Sequence, residues 1–303
     1  MLEKGLKLIF LTIGKNKTAA KLMRRYGAQL GASRFVAGTT LQDAIAAVKR
    51  LEAEGKEATI DHLGEFVQNE LDAARSADIC LKSLEAMQAH SLKANLSLKL
   101  TSLGLDLDPA ICERHMRSIL SLAATQNRFV RIDMEDYSHC QSTIDLYKKL
   151  RPDYPNLGLV IQAYLHRSKT DLYELGSNAN LRLVKGAYKE SPEVAFPKKE
   201  TVDETFLQLI HIQLDQGYAA VATHDPQIVH QTLRRVTEKQ IQLDRFEFQM
   251  LYGIGTALQN KLAQEGYKVR IYVPFGEDWF GYFMRRLAER PANVWFLLKH
   301  WRR

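Results

Sequence analysis

The stretch LSLKLT, Leu96–Thr101, alternates apolar and polar side chains, as a β-strand does when one face packs against helices. From about residue 57 onward, short runs of this kind alternate with longer segments of helical periodicity. We predict these eight strands: Ala58–Gly64, Leu96–Thr101, Phe129–Met134, Leu159–Leu165, Leu181–Tyr188, Ala219–His224, Phe246–Leu251 and Val269–Pro274. Repeated β-α units imply a parallel sheet, and eight of them favour an α/β fold of the distorted (β/α)8 TIM-like barrel type.

Predicted helices connect the strands, for example Glu65–His90, Pro109–Thr125 and Thr201–Gln216. Residues 1–56 are interpreted as an N-terminal helical arm, with a helix in the first ~30 residues, a short extended piece at Arg34–Gly38 and a helix at Leu41–Gly55. Residues 57–303 then form the barrel. A doubly wound sheet is the alternative, because it is also built from β-α units.

The charge of the chain limits the classes of partner. The 303 residues carry 42 Lys and Arg against 35 Asp and Glu, a net charge of +7, which suits a nucleic acid or an anionic membrane. No helix-turn-helix pattern or repeat of aromatic and basic residues supports nucleic acid, so we expect none. No apolar run approaches the ~20 residues of a membrane span, and the three cysteines are odd in number. We expect a cytoplasmic protein without disulfides.

Several common catalytic and cofactor motifs are missing from the sequence. Gly253 and Gly255 follow a predicted strand and open a helix, as in a dinucleotide fingerprint, but Leu258 occupies the third glycine position. No P-loop, HExxH or GxSxG motif is present. Cys112 and His115 have no second pair with metal-ligand spacing, so we expect no metal site.

Polar residues lie on the strand faces that point into the predicted barrel. The Leu and Ile faces suit the surrounding helices, which places Lys99, Asp133, Gln162 and Arg182 inside. Charged groups in such an interior are costly unless they are paired. Four such positions on four strands therefore indicate a polar site. The alternative is a buried ion-pair network of Lys99, Asp133 and Arg182 that binds no ligand.

A second cluster of polar residues lies near the C-terminus. Tyr282, Arg285, Arg286 and Glu289 are spaced i, i+3, i+4 and i+7, so they share one face of a predicted helix. Adjacent arginines can bind a carboxylate through paired, charge-assisted hydrogen bonds. The alternative is the solvated face of an amphipathic helix.

A series of segments between residues 96 and 289 carries a family resemblance. They are LSLKLT (96–101), VRIDME (130–135), QAYL (162–165), RLVKGAY (182–188), ATHD (222–225), EFQML (247–251), VRIYVPFG (269–276) and YxxRRxxE (282–289). In this order they resemble the proline dehydrogenase family, in particular its single-domain bacterial form. The combination of RLVKGAY with YxxRRxxE is highly specific. The stretch Asp61–Glu65, DHLGE, is similar to the family's first strand and its exit.

The resemblance implies a flavoenzyme. In that family a distorted barrel holds FAD at the carboxyl ends of its strands rather than in a Rossmann fold. The implied reaction is oxidation of L-proline to Δ1-pyrroline-5-carboxylate, the first step of proline degradation, by hydride transfer to flavin N5. Electrons would pass to a membrane quinone, and a separate pyrroline-5-carboxylate dehydrogenase would be the downstream partner.

The resemblance also implies roles for individual residues. Substrate-binding positions would be Lys99, Arg285 and Arg286 for the carboxylate, Tyr272 and Tyr282 for the ring, and Glu289 to position Arg286. Asp133 and Arg182 would be the catalytic positions, with Arg182 near flavin N5. FAD would also be bound by Met134, Gln162, Lys185, Gly186, Ala187, Tyr188, Thr223 and His224. Asp225 and Lys189 depart from some relatives, which have Asn and Trp there.

Two other interpretations remain open at this stage. A barrel aldolase would use Lys99 or Lys185 as a Schiff-base nucleophile, and a basic nucleic-acid-binding module would use the net charge. Basic residues in Lys15–Arg25 and His300–Arg303 instead suggest attachment to an anionic membrane surface, which would place the protein on the inner face of the cell membrane.

Overall fold

Eight parallel strands close into a barrel in the order of the chain, and β1 is hydrogen-bonded to both β2 and β8. The computed structural model describes residues 34–64 and 67–289, and only the backbone of residues 285–289. The strands are β1 (Glu57–His62), β2 (Ala94–Leu98), β3 (Val130–Ile132), β4 (Leu157–Gln162), β5 (Asn180–Val184), β6 (Tyr218–Ala222), β7 (Phe246–Leu251) and β8 (Val269–Phe275). This closure confirms the predicted (β/α)8 barrel and rules out the doubly wound sheet, which has open edges.

Helices surround the barrel in the part of the chain that the structure describes. They are α1 (Leu41–Ala53), α2 (Glu70–Ala89), α3 (Pro109–Thr125), α4 (Tyr137–Leu150), α5 (Ser168–Leu175), α6 (Lys199–Gln216), α7 (Pro226–Glu238), α8 (Thr256–Gln264) and α9 (Trp279–Glu289). Short 3-10 turns lie at Thr101–Leu103 and Leu243–Arg245. The apolar strand faces, such as those of Leu96, Ile132 and Leu159, are fully buried against this layer. The Leu and Ile faces therefore point as predicted.

The predicted strands all overlap observed ones, but several predicted carboxyl ends lie too far along the chain. The prediction Leu181–Tyr188 corresponds to a strand that ends at Val184. Beyond it, Gly186 adopts a φ of +113°, a conformation that other residues rarely adopt. The strand predicted at Leu96–Thr101 likewise ends earlier in the structure, at Leu98, because the chain enters a 3-10 turn at Thr101. The strands thus give way to loops where the site residues begin.

The N-terminal arm is described only from residue 34, so the predicted helix in the first ~30 residues lies outside the described residues. Arg34–Gly38 forms a turn and a bend rather than a strand, joined to β8 by a hydrogen bond of 2.9 Å from the Ala37 amide to the Pro274 carbonyl. Helix α1 begins at a capping box formed by Thr40 and Asp43, and it packs against β1 and β8. The division of the chain at residue 56 stays a prediction.

The three cysteines are buried free thiols. Burial raises the pKa of each thiol to about 12, which makes them unreactive near neutral pH. Cys112 and His115 contact the carbonyls of Leu100 and Leu103, so both support the turn that follows β2. Within residues 34–64 and 67–289, no group of three or more His, Cys, Asp or Glu residues could hold a metal ion.

The amino-terminal half of the barrel interior is ionic. Arg270 Nε donates to both carboxylate oxygens of Glu247 at 3.0 Å, its Nη1 donates to the Ala58 carbonyl at 2.9 Å, and its Nη2 contacts Glu57. Burial on its own would raise the pKa of Glu247, but Arg270 and further hydrogen bonds lower it to about 2. The interior thus contains an ionised, paired carboxylate where branched aliphatic layers are common.

We predict that Glu247→Gln destabilises the protein at neutral pH by about 3–5 kcal/mol, because it leaves Arg270 buried beside a neutral partner. The folded pKa of Glu247 lies below its unfolded value of about 4.3, so its stabilising contribution is complete above roughly pH 5 and is lost as the pH falls towards 2. Urea unfolding at descending pH should show the difference between wild type and variant shrinking through this window. A constant difference would contradict the prediction.

Candidate active site

Four strands bring side chains together around the carboxylate of Asp133. Asp133 follows β3, and its Oδ1 accepts hydrogen bonds from Arg182 Nη1 of β5 at 2.5 Å and from Ser97 Oγ of β2 at 2.6 Å. Its Oδ2 accepts from the Tyr272 hydroxyl of β8 at 3.0 Å. Around the closed barrel β5 lies two positions from β3 and β8 lies three positions from it, so their side chains can meet that of Asp133 only across the interior. The predicted inward orientation of Asp133 and Arg182 is therefore confirmed.

A second ion pair lies beside the first. Lys99 follows β2, and its Nζ is 3.1 Å from Oδ2 of Asp61 on β1, a carboxylate that is 1% exposed. Burial raises the pKa of Asp61, and the adjacent Lys99 ammonium opposes that rise. Asp61 was not predicted as a site residue. The signal that could have identified it is strand parity, since Asp61 aligns with Ser97 across β1 and β2.

The guanidinium of Arg182 has hydrogen-bond partners at two of its nitrogens, and its third nitrogen carries an open N–H, one without an acceptor among the described residues. Its Nε donates to Gln249 Oε1 at 2.5 Å, and its Nη1 donates to Asp133 and, at 3.3 Å, to Ser97. The guanidinium carbon lies 5.5 Å from the centre of the Tyr272 ring, within cation–π range. Its Nη2 is buried and has no hydrogen-bond acceptor among the described residues. Buried donors are normally paired, so this N–H is suited to a ligand atom.

The residues predicted to bind a cofactor lie within or just after four neighbouring strands, β3 to β6. Met134, Gln162 and Thr223 are buried, whereas Ala187 and Tyr188 are exposed. Gln162 Nε2 donates to the Glu135 carbonyl at 2.8 Å. His224 Nε2 accepts from the Leu251 amide at 3.1 Å. The carboxyl ends of these strands are adjacent in the barrel, so the residues form one continuous edge of its mouth.

Lys185 and Gly186 shape the middle of this edge. Lys185 Nζ lies 2.5 Å from Asp203 and 3.3 Å from Asp225, which also caps the N-terminus of α7. A Cβ atom at Gly186 would overlap the ring of Tyr164. Lys185 and Lys99 thus both lie against carboxylates, whereas a Schiff-base lysine is activated by desolvation or a neighbouring cation. The aldolase interpretation gains no support from this geometry.

Helix α9 lies against the carboxyl ends of the strands. Its buried Tyr282 belongs to an apolar cluster with Phe35, Leu63 and Ile254, and Tyr272 packs against the same cluster. The two predicted ring-binding tyrosines therefore adjoin one cluster. The backbone of α9 continues to Glu289, as the predicted helix requires, but the side chains of Arg285, Arg286 and Glu289 lie outside the described residues.

The alternative of an ion-pair network without a ligand is supported only in part. The pair of Asp133 and Arg182 is present, but the ion pair recorded for Lys99 is with Asp61 rather than with Asp133. The unmet Nη2 of Arg182 is also unlike a self-contained network, in which each buried donor would be paired.

Comparison with known proteins decides the family. The family model for proline dehydrogenase matches residues 44–299. The chain belongs to the proline dehydrogenase family. It is 51% identical to proline dehydrogenase 1 of Bacillus subtilis over 296 residues, which are 97% of this chain and 98% of that protein. It is 38% identical to a Deinococcus radiodurans proline dehydrogenase over 306 residues, 99% and 98% of the two chains.

A solved structure supports the same fold. Proline utilization A from Bdellovibrio bacteriovorus, inactivated by N-propargylglycine, superposes with a TM-score of 0.81 at 24% identity, over 90% of this chain and 34% of that one. The fold of this chain therefore corresponds to part of that longer protein. No helix in the part of the chain that the structure describes is long and apolar enough to cross a membrane.

Substitution of Gly186 tests the shape of the barrel edge formed by the carboxyl ends of β3 to β6. We predict that Gly186→Ala destabilises the protein by about 1–3 kcal/mol more than Gly266→Ala, because the added methyl group must displace the Tyr164 ring. Gly266 is a matched control: its φ is +85°, and nothing lies within 4 Å of its Cβ position, so it reports only the backbone strain of about 1–2 kcal/mol. Urea unfolding gives both values. Equal losses would show that Tyr164 does not restrict this position.

Proposed function

We propose that this protein oxidises L-proline to Δ1-pyrroline-5-carboxylate, the first step of proline degradation to glutamate, with FAD as the hydride acceptor. Family membership and near full-length similarity to proteins named proline dehydrogenase support the reaction. The observation that carries the proposal is the pair of cations, Lys99 and Arg182, held by the buried carboxylate of Asp61 and the partly buried carboxylate of Asp133. A small anionic substrate and an electron-rich cofactor both suit such a place.

The residues at the mouth of the barrel fit a flavin nucleotide. Arg182 keeps a buried N–H without a protein acceptor, and the lack of a side chain at Gly186 lets the backbone that follows β5 pack directly on the Tyr164 ring. When bound, FAD supplies the acceptor for the hydride at N5. A cation such as Arg182 favours negative charge that develops there. The residues proposed to hold FAD are Met134, Gln162, Arg182, Lys185, Gly186, Ala187, Tyr188, Thr223 and His224.

The proposed substrate site uses the other side of the cluster. Lys99, with Arg285 and Arg286 of α9, would bind the proline carboxylate, and Tyr272 and Tyr282 would line the ring. Glu289 would position Arg286. Burial and the neighbouring carboxylates hold the pKa of Tyr272 well above its ordinary value, so its hydroxyl remains a hydrogen-bond donor to Asp133. Asp133 in turn fixes the positions of Arg182 and Tyr272 at the site of hydride transfer.

The route of the electrons after proline oxidation is also part of the proposal. We propose a membrane quinone as acceptor, and a peripheral position on the inner face of the cell membrane. The basic residues of Lys15–Arg25 and His300–Arg303, which lie outside the described residues, would contact anionic lipid. Two curated relatives are named bifunctional protein PutA, and the chain covers 24% of each. We propose that the product here passes to a separate pyrroline-5-carboxylate dehydrogenase.

We predict that Lys99→Met raises the KM for L-proline by roughly 10- to 150-fold, since it removes a hydrogen bond to a charged group. The FAD content, measured from the absorption spectrum, should stay close to that of wild type. Lys261→Met is the matched control, because Lys261 is an exposed lysine of α8 paired only loosely with Glu265. Steady-state kinetics with an artificial electron acceptor measure both. An unchanged KM in Lys99→Met would contradict the substrate assignment.

Membrane attachment has its own test. We predict that the purified full-length chain sediments with vesicles that contain anionic phospholipid at low salt, and that added salt releases it, because the attraction is between exposed charges. Vesicles of neutral phosphatidylcholine are the control. Absence of the protein from the anionic vesicle pellet at low salt would reject the membrane proposal and leave the reaction unaffected.

A further inference from the structure

The side-chain amide of Gln249 lies inside the barrel between two ionic groups. Gln249 is on β7 and is 4% exposed. Its Nε2 donates to Glu247 Oε1 at 2.5 Å, and its Oε1 accepts from Arg182 Nε at 2.5 Å. Both ends of the amide are therefore in use. Neither Glu247 nor Gln249 has a role in the function proposed above.

The chemistry of its neighbours fixes the orientation of this amide. An ionised carboxylate can only accept hydrogen bonds, and a guanidinium can only donate them. Glu247 is ionised, because Arg270 and its other partners lower its pKa to about 2 against the effect of burial. A flipped amide would place oxygen against oxygen at Glu247 and N–H against N–H at Arg182. The Gln249 oxygen must therefore face Arg182.

The position of Gln249 determines the plane of the Arg182 guanidinium. That group is planar, and two of its nitrogens are fixed, Nε by Gln249 and Nη1 by Asp133. These two contacts, together with the covalent link from Nε to the rest of the Arg182 side chain, set the direction of the third nitrogen, Nη2, the one without an acceptor among the described residues. With the contact to Asp133 alone, the guanidinium could pivot about Nη1.

The support behind Gln249 is rigid. Glu247 is bound at both oxygens by Arg270, and Arg270 is bound to the Ala58 carbonyl and to Glu57. The contacts link β7, β8 and β1, and the residues on these strands are buried or partly buried. Such a network restrains its last member more than an isolated hydrogen bond would.

We propose that Gln249 is a positioning residue for the reaction: backed by Glu247 and Arg270, it fixes the guanidinium plane of Arg182 and thereby aims the open N–H for the ligand. The proposal rests on the function proposed above for the part that Arg182 plays in flavin reduction. The restraint of Arg182 by Gln249 is a property of the protein alone, and it can be measured without turnover.

The first measurement follows the Arg182 Nε–H itself. In protein labelled with [15N]arginine, the signal that disappears in Arg182→Lys belongs to this group, and it should exchange slowly with solvent. We expect Gln249→Met to abolish that protection. Gln213→Met is the matched control, because Gln213 is equally buried but donates to Ala179 and Tyr218 carbonyls. Protection that persists in Gln249→Met would overturn the proposal.

The second measurement is flavin reduction by L-proline under anaerobic stopped-flow conditions. We expect Gln249→Met to slow the reduction step by roughly 10- to 100-fold, the effect of a misplaced charged group, with less than about a twofold change in an Arg182→Met background. Equal slowing in both backgrounds, or no more slowing than in Gln213→Met, would overturn the proposal. If wild-type flavin is not reduced by proline, the proposed function fails, and the exchange measurement still decides whether Gln249 restrains Arg182.

A double variant that moves the carboxylate from position 247 to position 249 provides a further test and keeps the number of ionic groups. In Glu247→Gln combined with Gln249→Glu, the carboxylate at 249 can accept from Arg182, and the amide at 247 can donate to it and accept from Arg270. We expect this double variant to regain most of the Nε–H protection that Gln249→Met loses. Protection as low as in Gln249→Met would show that an acceptor at 249 is not what holds Arg182.

Discussion

The ion pair of Arg182 with Asp133 places a guanidinium and a carboxylate inside the barrel, where both are largely withdrawn from water. A charge inside a barrel must be paired, since leaving one partner alone costs about 3–5 kcal/mol. Each charged group that is introduced to satisfy another needs a partner in turn. The result is a continuous chain of contacts from the amino-terminal half of the interior to its mouth: Glu57, Arg270, Glu247, Gln249, Arg182, Asp133 and Tyr272.

This chain of contacts explains how a barrel interior can be both rigid and reactive. Glu247 and Arg270 are buried, so the ionic half of the interior is closed to a ligand. It supports the residues at the mouth of the barrel. At the mouth, Arg182 retains a buried N–H that has no acceptor among the described residues. Lys99, also at the mouth, forms an ion pair with Asp61. Lys99 and Arg182 are each paired with a carboxylate, so these interior cations do not account for the net charge of +7.

Much of the fold and part of the site follow from the sequence alone. The two-residue period of Leu96–Thr101 and its counterparts predicts eight strands and their inward faces, because the period is local. Which inward groups touch depends on register around the barrel, which no local pattern contains. The partner of Lys99 was therefore missed, since Asp61 appeared only as part of the first predicted strand and of the stretch DHLGE. Gln249 was missed because its contact with Arg182 joins residues 67 positions apart, a pairing that no local pattern contains.

The absorption spectrum of the purified protein tests the central claim most directly. We predict flavin bands that bleach under anaerobic conditions when L-proline is added. Pyrrolidine, which has the same ring without the carboxylate, should leave the bands almost unchanged at the same concentration, because Lys99 and the α9 arginines would have no anion to bind. A colourless protein, or a flavin that L-proline does not bleach, would contradict the account.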